Sequence, residues 1–128
     1  MSKYDSVWET HDFVIKKLTI NEDKYNNLLA NMNSYVVMFK KGAIKREEIL
    51  KILKEGRKVC SALDSLYKKH LLSIREIREL IKDDDVPSER VPTAEVVDEL
   101  ESSTRELMTT IAQSRELFDI IEEEINYG

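Results

Sequence analysis

Two histidines, one cysteine and a few acidic clusters are the side chains of this chain that could bind a ligand or carry chemistry. His70 lies on an apolar stripe, where an imidazole with an ordinary pKa of about 6.5 could act as a pH switch or a metal ligand. The alternative is a polar core position that sets helix register, with hydrogen bonds supplied by Thr104 or Ser103. Only His11 could join it as a second nitrogen ligand, and the Glu-x-x-His spacing of a carboxylate-bridged di-iron bundle is absent. We therefore predict a structural histidine, no metal site and no cofactor.

Cys60 is the only cysteine, and its position in an apolar row predicts a buried structural thiol. Asp83, Asp84 and Asp85 could bind a hard cation, but the glycine and spaced oxygen ligands of an EF-hand are absent. We favour a solvated acidic loop there and a solvated helix face for the glutamates at 122–124. Because no nucleophile and base have a recognisable spacing and no glycine-rich phosphate loop is present, we predict that the protein has no catalytic residues.

The strongest candidate for a functional surface is a row of basic side chains on the exposed side of a predicted helix at 45–82. This basic ridge comprises Lys51, Lys54, Arg57, Lys58, Lys68, Lys69, Arg75, Arg78 and Lys82. A positive ridge could follow the phosphates of a nucleic acid, with binding that weakens steeply as salt rises. Acidic residues are interspersed on the same side: Glu47, Glu48, Glu55, Asp64 and Glu79. A solvated face, or a docking surface for an acidic protein, is therefore the interpretation that we favour.

Charge is unevenly distributed along the chain. The 128 residues carry a net charge of −5, and 41% hydrophobic residues with only three Gly and two Pro are typical of a helical protein. Residues 45–82 carry eleven basic and six acidic groups, a net of +5, whereas residues 83–128 carry three and fourteen, a net of −11. Such asymmetry can serve attraction between helices, head-to-tail self-association or a charged partner. The sequence leaves these three open.

Neither a membrane segment nor a secretion signal is recognisable. The longest apolar runs, such as residues 35–39, are too short to cross a bilayer. Residues 1–8 lack the basic start and apolar stretch of a signal peptide. We therefore expect a soluble protein, cytoplasmic or otherwise intracellular, without membrane contact.

Heptad spacing predicts the elements that position these side chains. Between residues 45 and 82, one stripe recurs at steps of three and four: Ile49, Ile52, Gly56, Val59, Leu63, Leu66, His70, Ser73, Ile77 and Leu80. A second row at steps of seven widens the apolar face: Leu53, Cys60, Tyr67, Ile74 and Ile81. The helix at 45–82 is thus predicted to pack against more than one neighbour.

Two shorter helices are predicted before this one, at about 6–18 and 20–41. Thr19 and Glu22 have the spacing of a capping box, which predicts that the second helix begins there. Gly42 suits the left-handed position that follows the end of a helix.

A last helix, at about 93–126, is predicted to fold back on the long helix around a proline-containing loop at 83–92. In such an antiparallel hairpin, residues that face one another have numbers that sum to about 175. Gly56 then lies opposite Phe118, where the missing side chain leaves room for a large one. Apolar layers are expected from Ile49 with Ile125, Ile52 with Ile121 and Ile77 with Val97.

The sequence therefore predicts an all-α protein with one domain at 1–128. We expect an elongated bundle of about four helices, built on a long antiparallel hairpin with coiled-coil-like packing. Its expected role is a non-enzymatic protein-binding module, an adaptor or complex subunit whose apolar stripes bind another protein or a second copy of the chain. One alternative is a nucleic-acid-associated subunit that uses the basic ridge. Another is a small helical chaperone or ligand-sequestering bundle.

Overall fold

The computed structural model describes residues 2–127, which form three long helices. α1 spans Lys3–Lys40, α2 spans Arg46–Lys82 and α3 spans Ala94–Tyr127, with a 3₁₀ turn at Ser88–Arg90 between α2 and α3. At 1.5 Å per residue, each long helix extends about 50–57 Å. Met1 and Gly128, the ends of the predicted 1–128 domain, lie outside the described residues.

One continuous helix, α1, replaces the two helices predicted at 6–18 and 20–41. The capping box does not form, because the Thr19 hydroxyl donates to the Ile15 carbonyl at 3.0 Å and the Asn21 side chain bonds back four residues in the same way. The buried row keeps one face through the predicted break: Val7, Val14, Leu18, Tyr25 and Met32. The prediction of about four helices was wrong here, since a capping pattern does not end a helix whose apolar face continues.

The connection from α1 to α2 is a tight turn with left-handed backbone at Gly42, whose φ is +77°. The Gly42 N–H donates to the Phe39 carbonyl at 3.0 Å, and the Ala43 N–H donates to the Met38 carbonyl at 2.8 Å. These two bonds are the Schellman arrangement, which satisfies carbonyls at the end of α1. The chain then reverses, so α2 packs back along α1.

α2 lies between α1 and α3 and runs antiparallel to both, so α1 and α3 are parallel to each other. Gly56 of α2 meets Phe118 of α3, and a Cβ atom on Gly56 would lie 2.9 Å from the Phe118 ring. The contacts that fix the helix directions are His11 with Ser73, Arg57 with Asp119, Arg78 with Asp98 and Tyr25 with Ser114.

The core consists of two hydrophobic clusters. The larger one includes Leu53, Leu63 and Phe118 and extends toward the α1–α2 turn. The smaller one lies beside the α2–α3 loop and contains Val7, Ile74, Ile77, Leu80 and Val97. Four polar side chains lie between the clusters and are here called the polar layer: the half-buried His11 and the buried His70, Ser73 and Thr104.

Candidate partner-binding surfaces

The structure uses part of the basic ridge to hold α2 against α3. Arg57 and Arg78 are partly buried, and each bridges two carboxylates of α3. The pairs are Arg57 with Asp119 at 2.9 Å and with Glu122, and Arg78 with Asp98 at 2.7 Å and with Glu101 at 2.8 Å. Hydrogen bonds from Arg78, and then from Arg105, lower the pKa of Glu101. The opposite charges of α2 and α3 therefore form ion pairs between these two helices of the same chain.

The rest of the basic ridge faces solvent. Lys58 pairs with Glu55 at 3.8 Å and Lys68 pairs with Asp64 at 3.0 Å, both within α2. The remaining members are exposed and form no ion pair with another described residue: Lys51, Lys54, Lys69, Arg75 and Lys82. Because paired and unpaired side chains alternate along α2, the ridge is not a continuous positive surface.

A shallow groove of about 390 Å³ lies where the ridge meets α3. Leu71 and Leu72 contribute its apolar surface, and Lys68, Arg75, Arg78 and Arg105 surround it together with Glu101. Arg78 and Arg105 both bond to Glu101. The single carboxylate of Glu101 therefore offsets one of the four positive charges of this groove.

His11 and His70 face each other across the α1–α2 interface. Their ring centroids are 5.3 Å apart, and His11 Nδ1 lies 3.3 Å from Ser73 Oγ. Trp8 lies edge-on to His11 at 5.5 Å. Burial lowers the pKa of His70, and the neighbouring His11 lowers it further. Burial also lowers the pKa of His11, an effect that Asp12 opposes. Burial therefore favours the neutral form of both imidazoles.

The predicted partners of His70 were wrong. Thr104 is buried in the polar layer with His70, but its hydroxyl donates to the Leu100 carbonyl at 2.7 Å. Ser103 faces solvent. A threonine hydroxyl inside a helix is readily satisfied by the carbonyl four residues earlier, which leaves it no hydrogen to donate elsewhere. His70 Nδ1 has no hydrogen-bond partner among the described residues.

Other side chains with possible chemistry take structural positions. Cys60 is buried, and burial raises the pKa of its thiol, which keeps it protonated and unreactive. The Asp83 carboxylate accepts the Asp85 N–H at 2.9 Å within the α2–α3 loop. Among residues 2–127, no cluster of three or more His, Cys, Asp or Glu side chains has the geometry to hold a metal ion. Within the same residues, no helix has an apolar stretch long enough to cross a membrane.

A groove between α1 and α3 was not anticipated from the sequence. We call it the α1–α3 groove; its central section has a volume of about 200 Å³. Its walls and floor are formed by Glu22, Tyr25, Asn26 and Leu29 of α1, Leu107, Thr110 and Ile111 of α3, and Leu63 and Tyr67 of α2. Farther along, Val36 and Lys40 of α1 line a second open section with Ile121 and Glu124 of α3.

Apolar side chains remain exposed along this groove. Leu100, Leu107, Ser114 and Ile121 form a row of α3 at steps of seven, and this row faces α1, because Ser114 shares a hydrogen bond with Tyr25. Leu100 is nevertheless 36% exposed and Leu107 is 41% exposed. Further apolar side chains are exposed nearby: Ile15 on the matching row of α1, and Val96 and Leu117 on the next row of α3. The chain's own helices therefore leave apolar surface in the groove uncovered.

Comparison with known proteins identifies no relative. No family model matches the chain, and no match was found among curated proteins or solved structures. Its own surfaces are therefore the basis on which function is inferred.

Proposed function

We propose that this protein is a non-enzymatic interaction module that binds a helix of another protein in the α1–α3 groove. The observation that carries the proposal is the exposure of Leu100 and Leu107 on the side of α3 that faces α1. A helix lying along the groove would cover these leucines and complete a four-helix arrangement with coiled-coil-like packing. Adaptors and subunits of larger assemblies commonly use such helix-in-groove contacts.

The length of the groove supports a helical ligand. From Leu100 to Ile121 is three heptads, or about 32 Å along α3 at 1.5 Å per residue. A partner helix of about 20 residues would span this distance and could place apolar side chains at steps of three and four against the exposed row. Apolar surface removed from water contributes roughly 25 cal/mol per Å², so the leucines supply favourable binding energy.

Nucleic-acid binding by the basic ridge has weaker support. Arg57 and Arg78 are engaged by carboxylates of α3, and Lys58 and Lys68 have acidic neighbours within α2. A phosphate backbone would have to compete with these pairs. Sequestration of a small ligand also has weaker support, because the grooves between the described helices open to solvent.

Affinity capture with two matched variants tests the proposal. Leu107→Lys places a charge in the α1–α3 groove, whereas Leu72→Lys places one in the separate groove where the basic ridge meets α3, where Leu72 is 57% exposed. We expect wild type and Leu72→Lys to retain the same protein partner after nuclease treatment and Leu107→Lys to lose it. Circular dichroism and thermal melting should show that both variants fold, since both positions are exposed.

Two results would contradict the proposal. One is equal capture by Leu107→Lys and wild type, which would exclude the groove. The other is loss of the partner on nuclease treatment, or in Lys58→Glu and Lys69→Glu variants, which would assign binding to the basic ridge instead.

A further inference from the structure

We infer that the helix bound in the α1–α3 groove is a basic amphipathic helix, with lysine or arginine on both sides of an apolar stripe. This inference rests on the proposed function and adds the chemical character of the partner. Three observations carry it: unpaired acidic residues on α3, carboxylates in the rows that line the groove, and the overall charge of the chain.

α3 carries much more negative charge than the chain compensates. Residues Ala94–Tyr127 contain ten acidic and two basic side chains, a net of −8. Four of the ten carboxylates pair with Arg57 or Arg78, which leaves six without an ion pair to another described residue. These six are Glu95, Glu99, Glu106, Glu116, Glu123 and Glu124. Glu99 and Glu106 lie one row farther toward solvent than 96–103–110–117, the row of α3 next to the groove leucines.

The rows of α1 that line the groove are also acidic. The lining residues Glu22 and Asn26 define two rows at steps of seven, 8–15–22–29–36 and 5–12–19–26–33–40. The charged members of these rows are Asp5, Asp12, Glu22 and Lys40. On α3, Glu124 lines the far section of the groove. An apolar floor is thus bordered by carboxylates on both sides, with Lys40 as the basic exception.

Charge also argues against a second copy of this chain as the occupant. The chain has a net charge of −5, and two α1–α3 grooves brought face to face would oppose their carboxylates. The basic helix of a second copy, α2, already has its apolar face buried against its own α1 and α3. A different protein with a free basic helix satisfies both the apolar row and the acidic borders.

Three labelled peptides of three heptads each test the inference by fluorescence anisotropy. The first has a leucine stripe flanked by lysine, the second has the same stripe flanked by glutamate, and the third is a scrambled version of the first without a stripe. We expect the first peptide to bind about tenfold or more tighter than the second. Its affinity should fall as salt rises, and Leu107→Lys should abolish its binding whereas Leu72→Lys should not.

Charge reversal supplies the matched controls. Glu22→Lys combined with Glu106→Lys should remove or reverse the preference for the lysine-flanked peptide. Glu116→Lys combined with Glu123→Lys changes the net charge equally, but on a face of α3 away from the groove, and should retain the preference. Glu106, Glu116 and Glu123 are exposed and Glu22 is half-buried beside Tyr67, so circular dichroism and thermal melting should first show that both double variants fold.

The outcomes separate the inference from the proposed function. Equal or tighter binding of the glutamate-flanked peptide would overturn the basic character of the partner and leave the groove as a helix-binding site. Absence of binding by both striped peptides, binding of the scrambled peptide equal to that of the first, or unchanged binding by Leu107→Lys would overturn both. Self-association of the free protein that Leu107→Lys abolishes would identify a second copy as the occupant.

Discussion

The two histidines of the polar layer make the α1–α2 interface sensitive to acid. His11 and His70 lie with ring centroids 5.3 Å apart, and burial lowers the pKa of each below its ordinary value. Asp12 is the charged side chain that favours the protonated form of His11. Protonation of both rings would place two positive charges together between two helices, at a position where α1 is held to α2.

We predict that stability falls as pH decreases below about 6.5, the ordinary pKa of histidine in an unfolded chain. Since the folded pKa values are lower, the unfolded state binds more protons in this range, and stability present above pH 6.5 is lost as pH falls through the folded values. Urea unfolding of wild type and of a His11→Gln/His70→Gln variant between pH 7.5 and 5 measures the effect. The free energy of unfolding should change less with pH in the variant than in wild type. An equal change with pH in both proteins would exclude the histidines as the cause of the pH dependence.

Gly56 is the position where close approach of two helices decides the residue type. A Cβ atom there would lie 2.9 Å from the ring of Phe118, which is itself 1% exposed and cannot move freely. We predict that Gly56→Ala destabilises the protein by about 1–2 kcal/mol through overpacking, despite the better helix propensity of alanine. In a Phe118→Leu background the same change should stabilise by about 0.5–1 kcal/mol. Denaturant unfolding of wild type, the two single variants and the double variant gives the coupling free energy between positions 56 and 118. A coupling free energy of zero would refute the close approach.

The two residue pairs differ in how far the sequence could predict them. Gly56 opposite Phe118 follows from one antiparallel hairpin with a loop at 83–92, because both partners lie on helices whose register the loop defines. The position of His11 beside His70 depends on the register of α1 against α2, which the predicted helix break at Thr19 does not define. Thr104 was expected to bond to His70, but its own helix satisfies its hydroxyl.

At the level of elements, the continuity of α1 is the main departure from expectation. The local pattern Thr19–Glu22 is compatible with a helix start, yet it also occurs within helices, where a threonine hydroxyl bonds to the carbonyl four residues earlier. The row of buried side chains from Val7 to Met32 favours a continuous helix over a helix start at Thr19. This row is buried by packing against α2, and such packing outweighs the local preference of the Thr19–Glu22 pattern.

Thr19 and Thr93 should therefore respond differently to replacement by alanine. Thr93 caps α3, with its hydroxyl oxygen accepting the Val96 N–H at 3.3 Å. We predict that Thr93→Ala costs about 1 kcal/mol of stability, whereas Thr19→Ala costs nothing or stabilises by a few tenths, because alanine favours a helix interior. Thermal melting of both variants tests this. A loss in Thr19→Ala as large as that in Thr93→Ala would indicate a helix start at Thr19.

The α1–α3 groove could not be predicted because it depends on the distance between two helices that are far apart in sequence. Leu100 and Leu107 share the spacing of three and four residues with the buried Val97, Thr104 and Ile111, so the sequence alone does not distinguish them from core residues. Their exposure arises because α3 has more apolar rows than α2 and α1 cover. An excess of apolar rows on one helix is the sequence signal that indicates such a surface.

For the whole molecule, the uneven distribution of charge has two consequences. Two arginines of α2 form ion pairs with carboxylates of α3 and so stabilise the hairpin. These pairs neutralise part of the opposite net charges of residues 45–82, which carry +5, and residues 83–128, which carry −11. The remaining carboxylates of α3 lie outside these pairs, and one of them, Glu124, lines the α1–α3 groove. Charge thus contributes both to folding and to the proposed selection of a basic partner helix.

Photo-crosslinking in cells tests the central claim most directly. A photoreactive residue at position 107 would lie in the α1–α3 groove, and one at position 72 would lie in the separate groove where the basic ridge meets α3. Our account predicts that position 107 crosslinks to one other protein, within a helix that has lysine or arginine beside an apolar stripe, and that position 72 does not. Equal crosslinking at the two positions, no adduct at position 107, or an adduct there with a second copy of the chain would contradict it.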